Sequence, residues 1–215
     1  MPFFTPKKQK STDVEFVGLK FSNPVGVAEA SNAPKKWRRR RCKAGFVVLT
    51  PPKDNVLEWI MNLQDYRKYT LLAVNLSSDI VRCFSLVYDF ADFIIIDPDS
   101  DNGISSPDIS DTAELLDEIV NLRMCYERYT PILLRLTHGD TPDEIPALLS
   151  CARLSGLDGI VAPDPQKVRL VLEECEGRLP VIGMAQTPEE GMEELLAGAG
   201  LVESLMRPLA LSKLL

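Results

Sequence analysis

The chain has one histidine, His138, in 215 residues, and five cysteines, an odd number, with no C-x-x-C pair among them. Cys42, Cys83, Cys125, Cys151 and Cys175 stand far apart, so neither a disulfide framework nor a zinc knuckle is indicated. A reducing, cytoplasmic setting suits that usage. Basic excess is missing too. The formal net charge of -7 argues against a general nucleic-acid binder, which needs a broad cationic footprint to displace counterions. No segment approaches the roughly 18 continuous apolar residues of a membrane span, and the start "MPFFTPKKQKSTDVEF" has no apolar leader region. Linkers, low-complexity tracts and internal repeats are also lacking, which leaves 1–215 as one compact domain.

What the sequence does contain is alternation. Short β-rich apolar runs fall at Pro24 to Ala30, Gly45 to Thr50, Thr70 to Leu76 and Asp92 to Asp97, then at Pro131 to Thr137, Gly159 to Pro163, Pro180 to Ala185 and Gly200 to Met206. Runs apolar throughout, instead of at alternate positions, belong to strands covered on both faces, as in a parallel sheet. Helical periodicity lies between them. "DTAELLDEIVNLRMCYERY" sets Leu115, Leu116, Ile119, Leu122 and Tyr126 on one stripe, with Asp111 or Thr112 placed to cap its start. Three further helices open at Thr141-Pro142, Asp164-Pro165 and Thr187-Pro188. Eight strand-helix units predict an α/β fold, a (β/α)8 TIM barrel, although a doubly wound open sheet alternates similarly. Ahead of the first barrel strand, Val14, Phe16, Leu19 and Phe21 alternate around Gly18, the signature of a hairpin over 13–22.

These segments taken together resemble the dihydroorotate dehydrogenases, flavin-dependent barrels of pyrimidine synthesis. The resemblance rests on the hairpin followed by Asn23-Pro24, then on "AGFVVLTP", "LLAVNLSSD", "DFIIIDPDSDNG", "TPILLRLTHGDTPDEI", "SGLDGIVA" and "LPVIGMAQTPEEGMEELLAGAGLVE". It spans nearly the whole chain. It implies oxidation of dihydroorotate to orotate with flavin mononucleotide (FMN) as hydride acceptor and a small-molecule substrate. By position it implies Ser100 as catalytic base and Asn75, Asp97, Asn102 and Asp164 around the substrate. Thr50, Arg135, Gly183, Gly198 and Arg207 then fall at cofactor-binding positions.

Several of these residues depart from the family pattern. The catalytic loop of the family reads Asn-x-Ser-Ser/Cys-Pro-Asn, whereas this chain has Asp97-Pro98-Asp99-Ser100-Asp101-Asn102. Carboxylates there repel an anionic substrate instead of donating to it. Arg135 stands where the family has a lysine against the flavin, and a planar guanidinium is no neutral exchange for an ammonium. An Asn-Thr pair is replaced by Pro163-Asp164. The family's Gly-x-Gly-Gly-Ile is replaced by Gly183-Met184-Ala185-Gln186.

Two other features have competing readings. Asp97, Asp99, Asp101 and Asp108 occupy positions 1, 3, 5 and 12 of an EF-hand spacing, yet Asn102 stands where the turn needs glycine and Asp108 where a bidentate glutamate belongs. No metal is assigned on that spacing. The segment Lys35 to Lys43, "KKWRRRRCK", follows Pro34 where the first outer helix belongs. Four consecutive arginines point all around a helix, which reads as a solvated basic surface, a place for a protein partner before a nucleic acid. A homodimer is compatible with the chain. Three functions therefore stand side by side: an active FMN oxidoreductase, a barrel of the same descent kept as a non-catalytic binding or scaffold protein, and a divalent-cation site on the acidic loop.

Overall fold

The computed structural model describes residues 13–29, 44–67, 70–98 and 109–205. Two short strands, β1 (Val14–Phe16) and β2 (Leu19–Phe21), pair antiparallel with Phe16 opposite Leu19. The two-residue turn between them has positive φ at both positions, 45° at Val17 and 77° at Gly18. That is the turn hand that matches strand twist, and it is ordinary for glycine but strained for a β-branched valine.

Eight parallel strands follow and close on themselves. They are β3 (Val25–Glu29), β4 (Phe46–Leu49), β5 (Leu71–Leu76), β6 (Phe93–Ile96), β7 (Ile132–Arg135), β8 (Gly159–Ala162), β9 (Val181–Ala185) and β10 (Leu201–Ser204). Each pairs with its neighbours in chain order, and β10 returns to β3 with Val202 opposite Val25. This is the closed barrel, and the open-sheet alternative is ruled out. Six helices cover it within the described residues: α1 (Val56–Arg67), α2 (Ile80–Val87), α3 (Ile109–Arg123), α4 (Ile145–Leu154), α5 (Pro165–Glu174) and α6 (Pro188–Ala197).

Strand alternation sorts the core into two parts. Inward-facing Phe46, Val48, Ala73, Ile95, Leu133 and Ile182 fill the barrel, and the hairpin's Phe16 and Phe21 plug its N-terminal end. Phe21, Phe46 and Phe93 meet edge to face at ring-centre distances of 5.6 to 6.1 Å. Outward-facing Val47, Leu72, Val74, Ile94, Ile96 and Ile160 meet the helices. Two aspartates brace the N-terminal end: Asp92 Oδ2 accepts from the Leu72 amide, and Asp158 Oδ2 from the Ile132 amide, each at 2.8 Å. Both carboxylates also pair with an arginine, Arg128 for Asp92 and Arg123 for Asp158. Bonding at that end serves stability, since barrel chemistry is built at the other.

Two helix boundaries differ from the sequence-based expectation. Helix α3 begins at Ile109, so Thr112 does not cap it but lies buried inside its first turn. Helix α4 begins at Ile145, because residues 142–144 form a turn ahead of Pro146, where the missing amide of proline is tolerated. Among the described residues no helix is long and apolar enough to cross a membrane.

Candidate functional site at the barrel rim

The strand ends carry their inward side chains to one rim. By alternation with Phe93 and Ile95, Asp97 follows β6 on the inward side. Asn75 and Arg135 take the same side near the ends of β5 and β7, and Met184 and Glu203 on β9 and β10. These five meet. Arg135 Nη2 donates to both oxygens of Glu203, at 3.1 and 2.8 Å, and Nη1 to the Met184 sulfur at 3.0 Å. Its Nε donates to Asn75 Oδ1 at 3.2 Å and lies 3.7 Å from Asp97 Oδ2. Asn75 in turn donates from Nδ2 to Asp97 Oδ2 at 3.3 Å.

The Arg135 side chain is 10% exposed and that of Glu203 2%. Burial pushes the Glu203 carboxyl up from its ordinary range; the Arg135 guanidinium pulls it back and Asp97 adds to the rise. A cavity of about 300 Å3 opens above the pair, lined also by Ala28, Val48, Thr50 and Leu205. That volume is at the lower limit of small-molecule sites. Glu203 was not singled out from the sequence. Its signal was present: an acid at an inward position of an otherwise apolar barrel strand needs a buried cation, and Arg135 is the inward cation of β7.

The other expected site residues are distributed differently. Gly183 lies in β9 with its α-carbon facing out, so that an added Cβ would stand 2.6 to 2.8 Å from Glu194 on α6. Its missing side chain admits the close approach of α6. Gly198 is the C-cap of α6, with φ 109°, and precedes β10 at the N-terminal end of the barrel, opposite the rim. Its place is thus at the end of the barrel away from the strand ends that form the rim. Asp164 caps α5, its Oδ1 accepting from the amides of Gln166 and Lys167 at 3.1 and 2.9 Å, while Oδ2 is 3.9 Å from His138 Nδ1. Ser100, Asn102, Asp99, Asp101, Asp108, Arg207 and the basic segment 35–43 lie outside the described residues. Among the described residues no three His, Cys, Asp or Glu side chains are placed to hold a metal ion.

The family cofactor can be tested against these residues. A flavin phosphate needs free backbone amides after the seventh and eighth barrel strands. After β9 the amides are those of Gln186 and Thr187, and both donate to Glu190 Oε2, at 2.7 and 3.3 Å. Glu190 in turn donates its own amide to Thr187 Oγ1 at 3.2 Å, completing a capping box at the start of α6. An anion arriving there meets a resident carboxylate, with Glu189 beside it. The flavin phosphate does not fit the described residues of this rim.

No protein-family model matches the chain. Among curated proteins it is similar to the dihydroorotate dehydrogenase (quinone) of Shewanella loihica, 22% identical over 283 residues, covering 93% of this chain and 82% of that protein. The corresponding enzyme of a Psychrobacter species is 21% identical over 275 residues, covering 91% and 80%. Both alignments run longer than this chain's 215 residues, so those relatives carry insertions within the matched span. Among solved structures, the ligand-free dihydroorotate dehydrogenase of Eimeria tenella superposes with a TM-score of 0.75 at 15% identity, covering 94% of this chain and 84% of that one. The same enzyme in complex with ferulenol gives 0.74, again at 15%, covering 94% and 81%. An aldolase, QR15, gives 0.68 at 14%, covering 88% and 93%, as a shared barrel fold allows. Length-wide sequence similarity, barrel order and hairpin plug together make this chain a dihydroorotate dehydrogenase-like (β/α)8 barrel.

Proposed function

We propose that this barrel works without flavin, has lost dihydroorotate oxidation, and serves as a binding or scaffold protein. The observation that carries the reading is the engagement of Arg135. The family resemblance implies a lysine against the flavin at this place; here the guanidinium is drawn across the rim and held by Glu203, Asn75 and Met184. Freeing it for a cofactor leaves Glu203 buried and unpaired, an outcome worth several kcal/mol against binding. The Glu190 carboxylate on the Gln186 and Thr187 amides works in the same direction at the phosphate end. The anionic substrate is opposed by Asp97, a second inward carboxylate 3.7 Å from Arg135.

The test is direct. The purified protein should be colourless, without the flavin absorption band, and calorimetric titration with FMN should show no saturable heat. Glu190→Ala alone should not restore binding, because the Arg135 arrangement remains. A preparation carrying stoichiometric flavin, or reduction of a quinone on addition of dihydroorotate, overturns the reading.

A further inference from the structure

A buried acid lies outside the rim, on the outer face of the barrel wall. Glu194, on α6, is 1% exposed, and neither of its carboxyl oxygens has a hydrogen-bond partner among the described residues. Buried carboxyl groups are almost always paired, so an orphan of this kind calls for a physical reason. It lies directly over Gly183 of β9, where the absent Cβ leaves the space that the carboxyl occupies. The surrounding charges are mostly of its own sign. From the α5 side come Asp164 and Arg169, and from α6 itself Glu190 and Glu193. The outward positions Gly183 and Ala185 of β9, and Val202 and Ser204 of β10, carry no titratable group. A groove of about 600 Å3 between α5 and α6, lined by Asp164, Arg169, Glu193 and Leu196, gives water a route to the helix pair.

We propose that Glu194 is a proton-operated latch for α6: uncharged, it lets the helix lie flat on β9 over Gly183, and once ionised it drives the helix off the barrel wall. Burial, then Asp164, Glu190 and Glu193, push this carboxyl up to about 8, against a smaller opposing effect of Arg169. The sign follows from linkage. A carboxyl that keeps its proton in the docked state and releases it when undocked stabilises docking less and less as pH rises from 4.5 to about 8. The latch is closed in mild acid and opens in mild alkali. Opening reaches the rim, because the first turn of α6 holds the Gln186 and Thr187 amides through Glu190. Loss of that turn changes the surface the rim presents.

Hydrogen exchange resolved by peptide reads the latch in the full-length protein. After correction for intrinsic exchange, protection of the α6 amides should fall at least tenfold more than that of α3 between pH 6 and pH 9. Glu194→Gln removes the ionisation while keeping the shape, and should abolish that difference. Glu189→Gln, an exposed acid on the same helix that is not among the charges acting on Glu194, should retain it. Equal loss of protection in α3 and α6 overturns the proposal, as does an undiminished pH response in Glu194→Gln. Should Glu194→Gln fail to fold, a titration of the Glu194 carboxyl in the unaltered protein by isotope-edited infrared spectroscopy decides: ionisation complete by pH 6 refutes the latch, and a band that persists to pH 7 supports it.

Discussion

Replacing Glu203 by glutamine asks how much of the barrel's stability hangs on one charge pair at its mouth. The two side chains are 10% and 2% exposed and touch at 2.8 Å, so the pair is far from the screened surface type that contributes little. At an effective dielectric constant of 20, unit charges about 4 Å apart attract by roughly 4 kcal/mol. Removing one member of such a pair typically costs about 3–5 kcal/mol, chiefly because the survivor stays buried without its counter-charge. Here the survivor has help. Arg135 Nε keeps Asn75 and remains 3.7 Å from Asp97, which places Glu203→Gln at the low end, about 3 kcal/mol. Arg135→Met should cost less, about 2 kcal/mol, since Glu203 can take up a proton and stay buried as a neutral acid. The double variant Arg135→Met/Glu203→Leu removes both charges and should recover to within about 1 kcal/mol of the parent. Urea unfolding of the four proteins at pH 7 gives the cycle and its coupling energy. Single variants within about 0.5 kcal/mol of the parent, adding without coupling, would falsify the claim that this pair organises the rim.

Gly183→Ala should destabilise by about 2 kcal/mol in thermal unfolding, because the new methyl group meets Glu194 at 2.6 to 2.8 Å and α6 must shift to admit it. Thr187→Ala removes the hydroxyl half of the capping box and should lower stability by about 1 kcal/mol, with the loss confined to α6 in hydrogen exchange. Overall stability should decline as pH rises from 4.5 to about 8, within a bound of about 5 kcal/mol set by that span for Glu194, and Glu194→Gln should flatten the profile. Asp158→Ala leaves the Ile132 amide without its acceptor and Arg123 without its counter-charge, and should cost about 3 kcal/mol in urea, while Asp158→Asn, which keeps an oxygen for the amide, should recover part of it.

The strands were legible for a simple physical reason. A barrel strand is apolar on both faces, so Phe93 to Ile96 and Val47 to Leu49 stand out as unbroken runs, and the observed limits lie within a residue or two of the expected ones. Helices α1 and α2 were less visible. Leu57 and Met61 are exposed on α1, which blurs its period, and α2 has only eight residues. At the site, strand alternation decides which side chains face inward. Ile182 and Met184 belong to the barrel interior, so Gly183 between them had to face α6. Likewise Asp164-Pro165 and Thr187-Pro188-Glu189-Glu190 are helix-start patterns first, and the structure uses both that way. The meeting of Arg135 with Glu203 depends on closure of the barrel, and 68 residues separate them in sequence. Local reading does not reach that far.

The seam between β10 and β3 dictates an order of events during synthesis. Val202 donates its amide to Pro24 at 2.8 Å, and β10 bonds to β9 on its other side, so the cylinder stays a curled ribbon with two bare edges until residues 201–204 leave the ribosome. At about 5–20 residues per second, the first strand waits on the order of ten seconds or more for its last neighbour. Through that interval the β3 and β9 edges offer unpaired backbone to any other nascent chain. The hairpin, made early from adjacent residues, can meanwhile shield the phenylalanines at the base. Those two edges, absent from the finished cylinder, are where mispairing between chains would begin during translation.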